Sequence, residues 1–286
     1  MKDSTKKYLG ILGLLTVTII WGGGFVASDI ALATLTPFQI MFIRFFIAAV
    51  IMTALGKDSI KSVTREEIKC GAMLGSALFG GFALQIIALQ YTTPSKNAFL
   101  TATNVVIVPF IALVIYKKKI PVKSLVGAGM AILSLQSDFS MGIGDLMTLA
   151  CAVCFALQIF LTGEFVGKIR PTVLNFLQMT TAFVLSGVGL IVTGSFRFKP
   201  SMESLLAVLY LGIVSTTITY LLQTISQKYV DETKSAIILS MEAVFGTIFS
   251  VILLHETVTV RMITGSVLIL AAVLVSEVSF SKKTNK

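Results

Sequence analysis

Charge is what this chain has least of. Only 13% of its 286 residues are charged, while 55% are hydrophobic; an ordinary soluble domain carries roughly 25% charged residues. So little charge cannot cover a water-facing surface, which excludes a soluble globular protein. The segments between apolar runs are all too short for a soluble domain. Catalytic raw material is equally scarce. The single histidine, His255, has no nucleophile near it in sequence, and no acidic or histidine cluster stands beside it. A membrane-embedded enzyme is therefore the weakest reading, and no metal or cofactor is expected. A glycine-rich phosphate loop ending in Lys–Ser/Thr is missing, which removes an ATP-driven pump. The three cysteines include a C-x-x-C, Cys151 and Cys154, inside an apolar run with no second pair. Small apolar positions on a helix face explain them better than a redox or zinc site.

What is present is a series of apolar runs, each near the roughly 20 residues that a helix needs to cross a bilayer. They fall at 8–28, 37–55, 70–91, 95–116, 122–137, 143–163, 171–193, 203–226, 233–254 and 259–279. The runs are continuously apolar rather than alternating, so a β-barrel is excluded. The expected class is an all-α integral membrane protein with ten transmembrane helices. Pro37, Pro94, Pro121, Pro171 and Pro200 sit at or beside span starts, where a missing N–H costs little. Pro109 lies inside span four, where it is expected to kink the helix and free a carbonyl. Its counterpart in the other half is Thr247, so the two halves are not expected to bend equally. The first span follows Lys2, Lys6 and Lys7 like a signal peptide. It lacks a convincing cleavage site and matches span six (Gly10 with Gly144), so it is expected to be retained.

The chain also repeats itself. Leu84, Gln85, Ile87, Tyr91, Lys96, Ala98 and Gly127 recur 138 residues later as Leu222, Gln223, Ile225, Tyr229, Lys234, Ala236 and Gly265. Earlier in each half the offset is 134: Pro37 with Pro171, Phe42 with Phe176, Ala48 with Ala182. The drift places four extra residues near Ser195–Pro200. Residues 1–138 and 139–286 are thus read as two repeats of five spans. An odd number of spans inverts the second repeat, and two inverted repeats around a central cavity are a physical basis for alternating access.

The net charge of +9 invites a nucleic-acid partner until the charges are placed. Of the 23 lysines and arginines, Lys96, Arg197, Lys199 and Arg261 fall on one side and Arg44 lies inside a span. The other eighteen fall on the side of the termini. That asymmetry puts both termini in the cytoplasm. The basic balance reflects topology and anionic lipid, so the expected partners are the bilayer and a small-molecule substrate, with no nucleic acid.

Polar residues inside spans need an account. Glu242 is midway along span nine, and its repeat counterpart is Asn104 in span four. A carboxylate at that depth normally faces a cavity or a partner; a substrate or proton site and a structural interhelical bond are both open. Arg44, counterpart of Gln178, can snorkel outward, bind a substrate carboxylate or pair with Glu242; a gating or structural role is preferred. Gln85 and Gln223 are repeat-related amides, and Gln158 and Tyr220 add polar edges. Interhelical bonding is the default for these, but recurrence favours a shared lining. Trp21, with Phe25 one turn on, sits mid-span, where an indole can wall an apolar pocket or attract a cationic group and can equally face lipid or pack in the core. Its counterpart is Phe155. The glycines Gly22, Gly23 and Gly24 serve either close packing or bending.

These residues resemble a known family. Trp21-Gly22-Gly23-Gly24-Phe25, Pro37 followed by Arg44-Phe45, Pro109, Ser240-Met241-Glu242-Ala243-Val244, His255-Glu256 and Gly265 are similar to the pattern of EamA-domain proteins of the drug/metabolite transporter superfamily. The resemblance covers nearly the whole chain. It implies ten helices in an inverted repeat, with helices one to four and six to nine around the cavity and five and ten peripheral. It also implies export of amino acids, drugs or other metabolites, with import in some members. Ala243 stands where the family usually has proline, and Lys117–Lys119 stand where an acidic residue is common. The expected function is a secondary carrier in the plasma membrane of a prokaryotic-type cell, exporting a small metabolite by alternating access. Its expected working unit is a monomer, with a dimer as the alternative, and a proton is the candidate coupling ion. An importer and a passive channel of the same fold are the alternative readings. A reporter fused at Lys286 is expected to read cytoplasmic, and a tag in the Phe196–Pro200 loop to be labelled from outside intact cells. A C-terminus accessible from outside would refute the odd-repeat reading.

Overall fold

Most helices begin where the sequence supplies a cap or a proline. The structure, a computed structural model, describes residues 3–117, 142–257 and 259–277. In chain order these form α1 (Asp3–Leu32), α2 (Pro37–Leu55), the short α3 (Lys57–Ile60), α4 (Arg65–Ala88), α5 (Pro94–Thr101), α6 (Asn104–Tyr116) and α7 (Ile143–Phe165). Then follow α8 (Pro171–Val192), α9 (Met202–Gly212), a π-helical turn (Ile213–Ile218), α10 (Thr219–Gln227), α11 (Glu232–Leu239), α12 (Glu242–Leu253) and α13 (Val260–Glu277). Thr64 opens α4 in a capping box with Glu67 that satisfies two backbone donors, and at the start of α2 Gln39 Oε1 accepts from the Thr36 N–H, partners that lipid cannot supply. Thr93 and Asp231, which are 138 residues apart, cap α5 and α11 in the same way, accepting from the N–H of Lys96 and Lys234.

Among the described residues there is no strand, and eight helical stretches are long and apolar enough to cross a membrane. Eight of the expected spans coincide with them to within a few residues. The tenth expected span appears as α13, whose apolar part is the shorter Met262–Ala271. The fifth, 122–137, lies outside the described residues, as do Pro121 and Asp138.

Two expected spans are not continuous. Span four is interrupted at Ala102–Thr103, between α5 and α6, and span nine at Ser240–Met241, between α11 and α12. The interruption in span four was expected at Pro109, which instead sits inside α6. The cause lies in the hydrogen bonding. Thr103 N–H reaches only Leu100 O, and Val105 N–H only Ala102 O; in the second half Met241 N–H takes Ile238 O and Ala243 N–H takes Ser240 O. These tighter three-residue turns are reinforced by hydroxyls: Thr103 Oγ1 donates to Leu100 O and Ser240 Oγ to Ile237 O, both at 2.7 Å. Ser and Thr back-bonding of this kind bends helices. The interruptions therefore match between the halves although the proline does not.

The extensive helix pairs run across the 138/139 boundary. α4 packs on α7 and α8, α2 on α8, and α1 on α9, α10 and α12. The two halves interleave, so rocking 1–138 as a rigid block against 139–286 would break most of the packing. Glycine permits the closest approach. A methyl group at Gly22 would lie 2.5 Å from Phe245 Cβ and 2.7 Å from the Gly246 nitrogen, and one at Gly24 would lie 2.8 Å from Ser215 Oγ. α1 runs unbroken through Gly22–Gly24, so in this structure the run packs rather than bends. Gly22→Ala is expected to lower the thermal unfolding midpoint of the purified protein by an overpacking cost of about 1–3 kcal/mol. Gly187→Ala, whose methyl would meet Phe42 at an ordinary 3.4 Å, is expected to leave it unchanged or raised.

Candidate functional site

The two interruptions place Asn104 and Glu242 at the first residues of α6 and α12, and both side chains face one central cavity. Its empty space, mouth included, is about 450 Å³. The walls are Trp21, Gly24, Phe25 and Ser28 from α1, Arg44 from α2, Phe82 and Gln85 from α4, Asn104 from α6, Phe155, Gln158 and Ile159 from α7, Ser215 from the π-helical turn, Tyr220 from α10 and Glu242 from α12.

Seven of the eight expected cavity residues are in that wall: Trp21, Phe25, Gln85, Asn104, Gln158, Tyr220 and Glu242. Gln223 is not. It is fully buried behind Gln158, where its Nε2 donates to Gln158 Oε1 at 3.2 Å and Gln227 Oε1 at 2.9 Å. Gln227 in turn donates to Ile159 O, so an amide chain binds α10 to α7 and turns Gln223 away from the cavity. Its counterpart Gln85 donates to Thr101 Oγ1 and remains in the wall. Pro109 is buried in α6, away from the wall.

Arg44 does not snorkel. It is 1% exposed, its Nε and Nη2 both donate to Thr216 Oγ1 at 3.0 and 2.8 Å, and its guanidinium lies 3.9 Å from the centre of the Phe82 ring. It forms no ion pair with Glu242. Trp21 is fixed from the other side of the same turn: its Nε1 donates to Ser215 O at 3.2 Å and Thr219 Oγ1 at 2.9 Å, and its ring packs on Tyr220. π-helical turns inside α-helices recur at functional sites, and this one anchors both an indole and a guanidinium. Glu242, 5% exposed, makes no hydrogen bond or ion pair among the described residues, and Asn104 Oδ1 is buried without a partner.

Sequence reading missed Phe82, Phe155, Ile159, Gly24, Ser28 and Ser215 as wall residues. The signal for four of them was available. Trp21 with Phe155, Gly24 with Gln158 and Phe25 with Ile159 are pairs at the 134 offset, and Phe82 with Tyr220 and Asn104 with Glu242 are pairs at 138. Extending every candidate to its counterpart would have found them. Ser215 and Thr216 carried only a Ser-Thr-Thr run in an apolar span. Two ion pairs bracket the bundle at opposite ends, Lys96 with Asp145 at 2.6 Å and Arg170 with Glu67 at 3.3 Å, and each joins the two halves.

Comparison with known proteins accords with this architecture. The EamA-like transporter family matches residues 8–136 and 142–277. An uncharacterized transporter of Archaeoglobus fulgidus is 32% identical over 96% of this chain and 87% of its own. A probable amino-acid metabolite efflux pump of Salmonella typhimurium is 25% identical over 95% of both chains. One solved crystal structure superposes with a TM-score of 0.75 at 20% identity, covering 96% of this chain and 97% of that one, a likeness of fold alone. A helical bundle with eight membrane-length helical stretches among the described residues and a polar-edged cavity, matched to the family in two consecutive segments, makes this chain a multi-pass membrane transporter of the EamA-like transporter family.

Proposed function

We propose that this protein exports a small organic metabolite across the plasma membrane by alternating access, with a monomer as the working unit and both termini cytoplasmic. Residues 1–138 and 139–286 are read as inverted five-span repeats, ten spans in all. The observation that carries the reading is the cavity wall, in which five pairs of residues at the repeat offsets converge on one space. Paired surfaces from inverted repeats give two nearly equivalent ways of opening, one to each side. Transport then requires the interleaved pairs to part at one end while the other stays closed, with the bonds at Lys96–Asp145 and Arg170–Glu67 broken in turn. The name of the Salmonella typhimurium relative supports efflux of amino-acid-type metabolites here.

Counterflow in proteoliposomes tests the carrier. Trapped substrate is expected to accelerate uptake of the labelled form, with saturation. Uptake that rises linearly without exchange would replace the carrier with a channel, and greater accumulation in expressing cells would make it an importer. For coupling, Glu242 is the carboxylate in the cavity wall, which Arg44 and Tyr220 also line. Under proton exchange, Glu242→Gln is expected to abolish the pH dependence of flux at an unchanged unfolding midpoint. A lowered midpoint with pH dependence intact would make Glu242 a structural residue instead.

A further inference from the structure

The cavity wall holds a guanidinium and a carboxyl group that do not pair with each other among the described residues. A guanidinium stays protonated in any protein environment and presents five N–H donors in a planar fork. At Arg44 a single oxygen, Thr216 Oγ1, takes two of those bonds. No carboxylate among the described residues pairs with it, and the Phe82 ring beneath it attracts the charge but cannot fill the fork. A buried arginine serving packing alone would be met by a carboxylate or by several carbonyls, since an unpaired buried charge is strongly unfavourable. Its repeat counterpart Gln178 bonds instead to Asn175 within α8 and is absent from the wall, so the positive charge occurs once. Glu242 is likewise unpaired among the described residues, and in the same wall Asn104 Oδ1 is a buried acceptor with no donor.

We propose that Arg44 is the anion-recognising residue of the cavity, and that the cargo is a small zwitterion whose carboxylate docks on Arg44 while its ammonium group docks on Glu242 and the Asn104 carbonyl oxygen. This rests on the carrier reading above and adds the orientation and charge of what is carried. Phe25, Phe82, Phe155 and Ile159 then meet the apolar part of the molecule.

Trp21 is the chain's one tryptophan and lies in the wall, so its fluorescence reports occupancy. The purified full-length protein is titrated with L-alanine, L-threonine, L-leucine and L-phenylalanine, and with the methyl ester and the N-acetyl derivative of the tightest binder. Removing either charge from the ligand is expected to weaken binding about tenfold or more, the size of a lost charge-assisted bond. Arg44→Gln is expected to bind acid and ester alike, and Arg44→Lys to recover part of the preference for the acid. Glu242→Gln is expected to bind the amino acid and its N-acetyl form alike, and melting curves check that each variant is folded. The proposal is overturned by an Arg44→Gln variant that keeps the wild-type preference for the acid, or by the absence of a saturable response to all four amino acids. It is overturned equally if chloride saturates the wild type but not Arg44→Gln while the ester binds as well as the acid, because Arg44 would then hold a free anion. Counterflow separates the two levels. Exchange of a solute lacking a carboxylate would sink the Arg44 assignment and keep the carrier, whereas no exchange of any solute would sink the carrier.

Discussion

A bilayer interior supplies no hydrogen bonds, and every departure from regular helix in this fold has to be made good within the protein. Interruptions of the backbone ladder are costly in lipid and tolerable where they are enclosed by protein or line a cavity. All three interruptions described inside the apolar spans obey that rule. The turns at Ala102–Thr103 and Ser240–Met241 and the π-helical turn at Ile213–Ile218 lie at or beside the cavity wall. Hydroxyls of Thr103, Ser240, Thr217 and Thr219 supply the missing partners. The irregular backbone and the polar side chains therefore arrive together, because each needs the other's enclosure.

Once enclosed, those turns become the organising points of the site. Two of them start short helices whose first residues are Asn104 and Glu242, and the positive ends of helix dipoles favour acceptor groups there. The third offers the Thr216 hydroxyl to Arg44 and the Ser215 carbonyl to Trp21. A shift in the π-helical turn would move both side chains at once, which gives the cavity contents a mechanical connection to α9 and α10. The glycines of α1 fit the same picture: they bring its backbone against α12 and the π-helical turn, so that small displacements there are felt along the first helix.

Much of this was legible in the amino-acid order, and the failures have specific causes. Hydropathy located the spans because the bilayer imposes one length on all of them. Proline marked starts because a missing N–H costs little in the first turn of a helix. The depth of Glu242 and Asn104 pointed to the cavity because charge and amide are too costly to face lipid. What could not be read was the local choice of hydrogen-bond partner. Pro109 is accommodated inside α6, while unremarkable Thr103 and Ser240 break their helices. Gln223 has the same repeat credentials as Gln85, yet neighbouring amides on α7 and α10 draw it out of the wall. Arg44 had three readings because its span alone does not reveal Thr216, which lies 172 residues away in sequence.

The cavity is paired in position but not in chemistry. Trp21 stands against Phe155, Phe82 against Tyr220, Asn104 against Glu242, and Arg44 has a counterpart, Gln178, that has left the wall. A cavity assembled from two identical chains would be condemned to twofold contents: two guanidiniums, two carboxylates, and repulsion within each like pair. With both halves in one polypeptide, each position is free to differ from its twin. The covalent link between the halves thus permits a polar axis inside a nearly symmetric frame, and a molecule lying along that axis has a head and a tail.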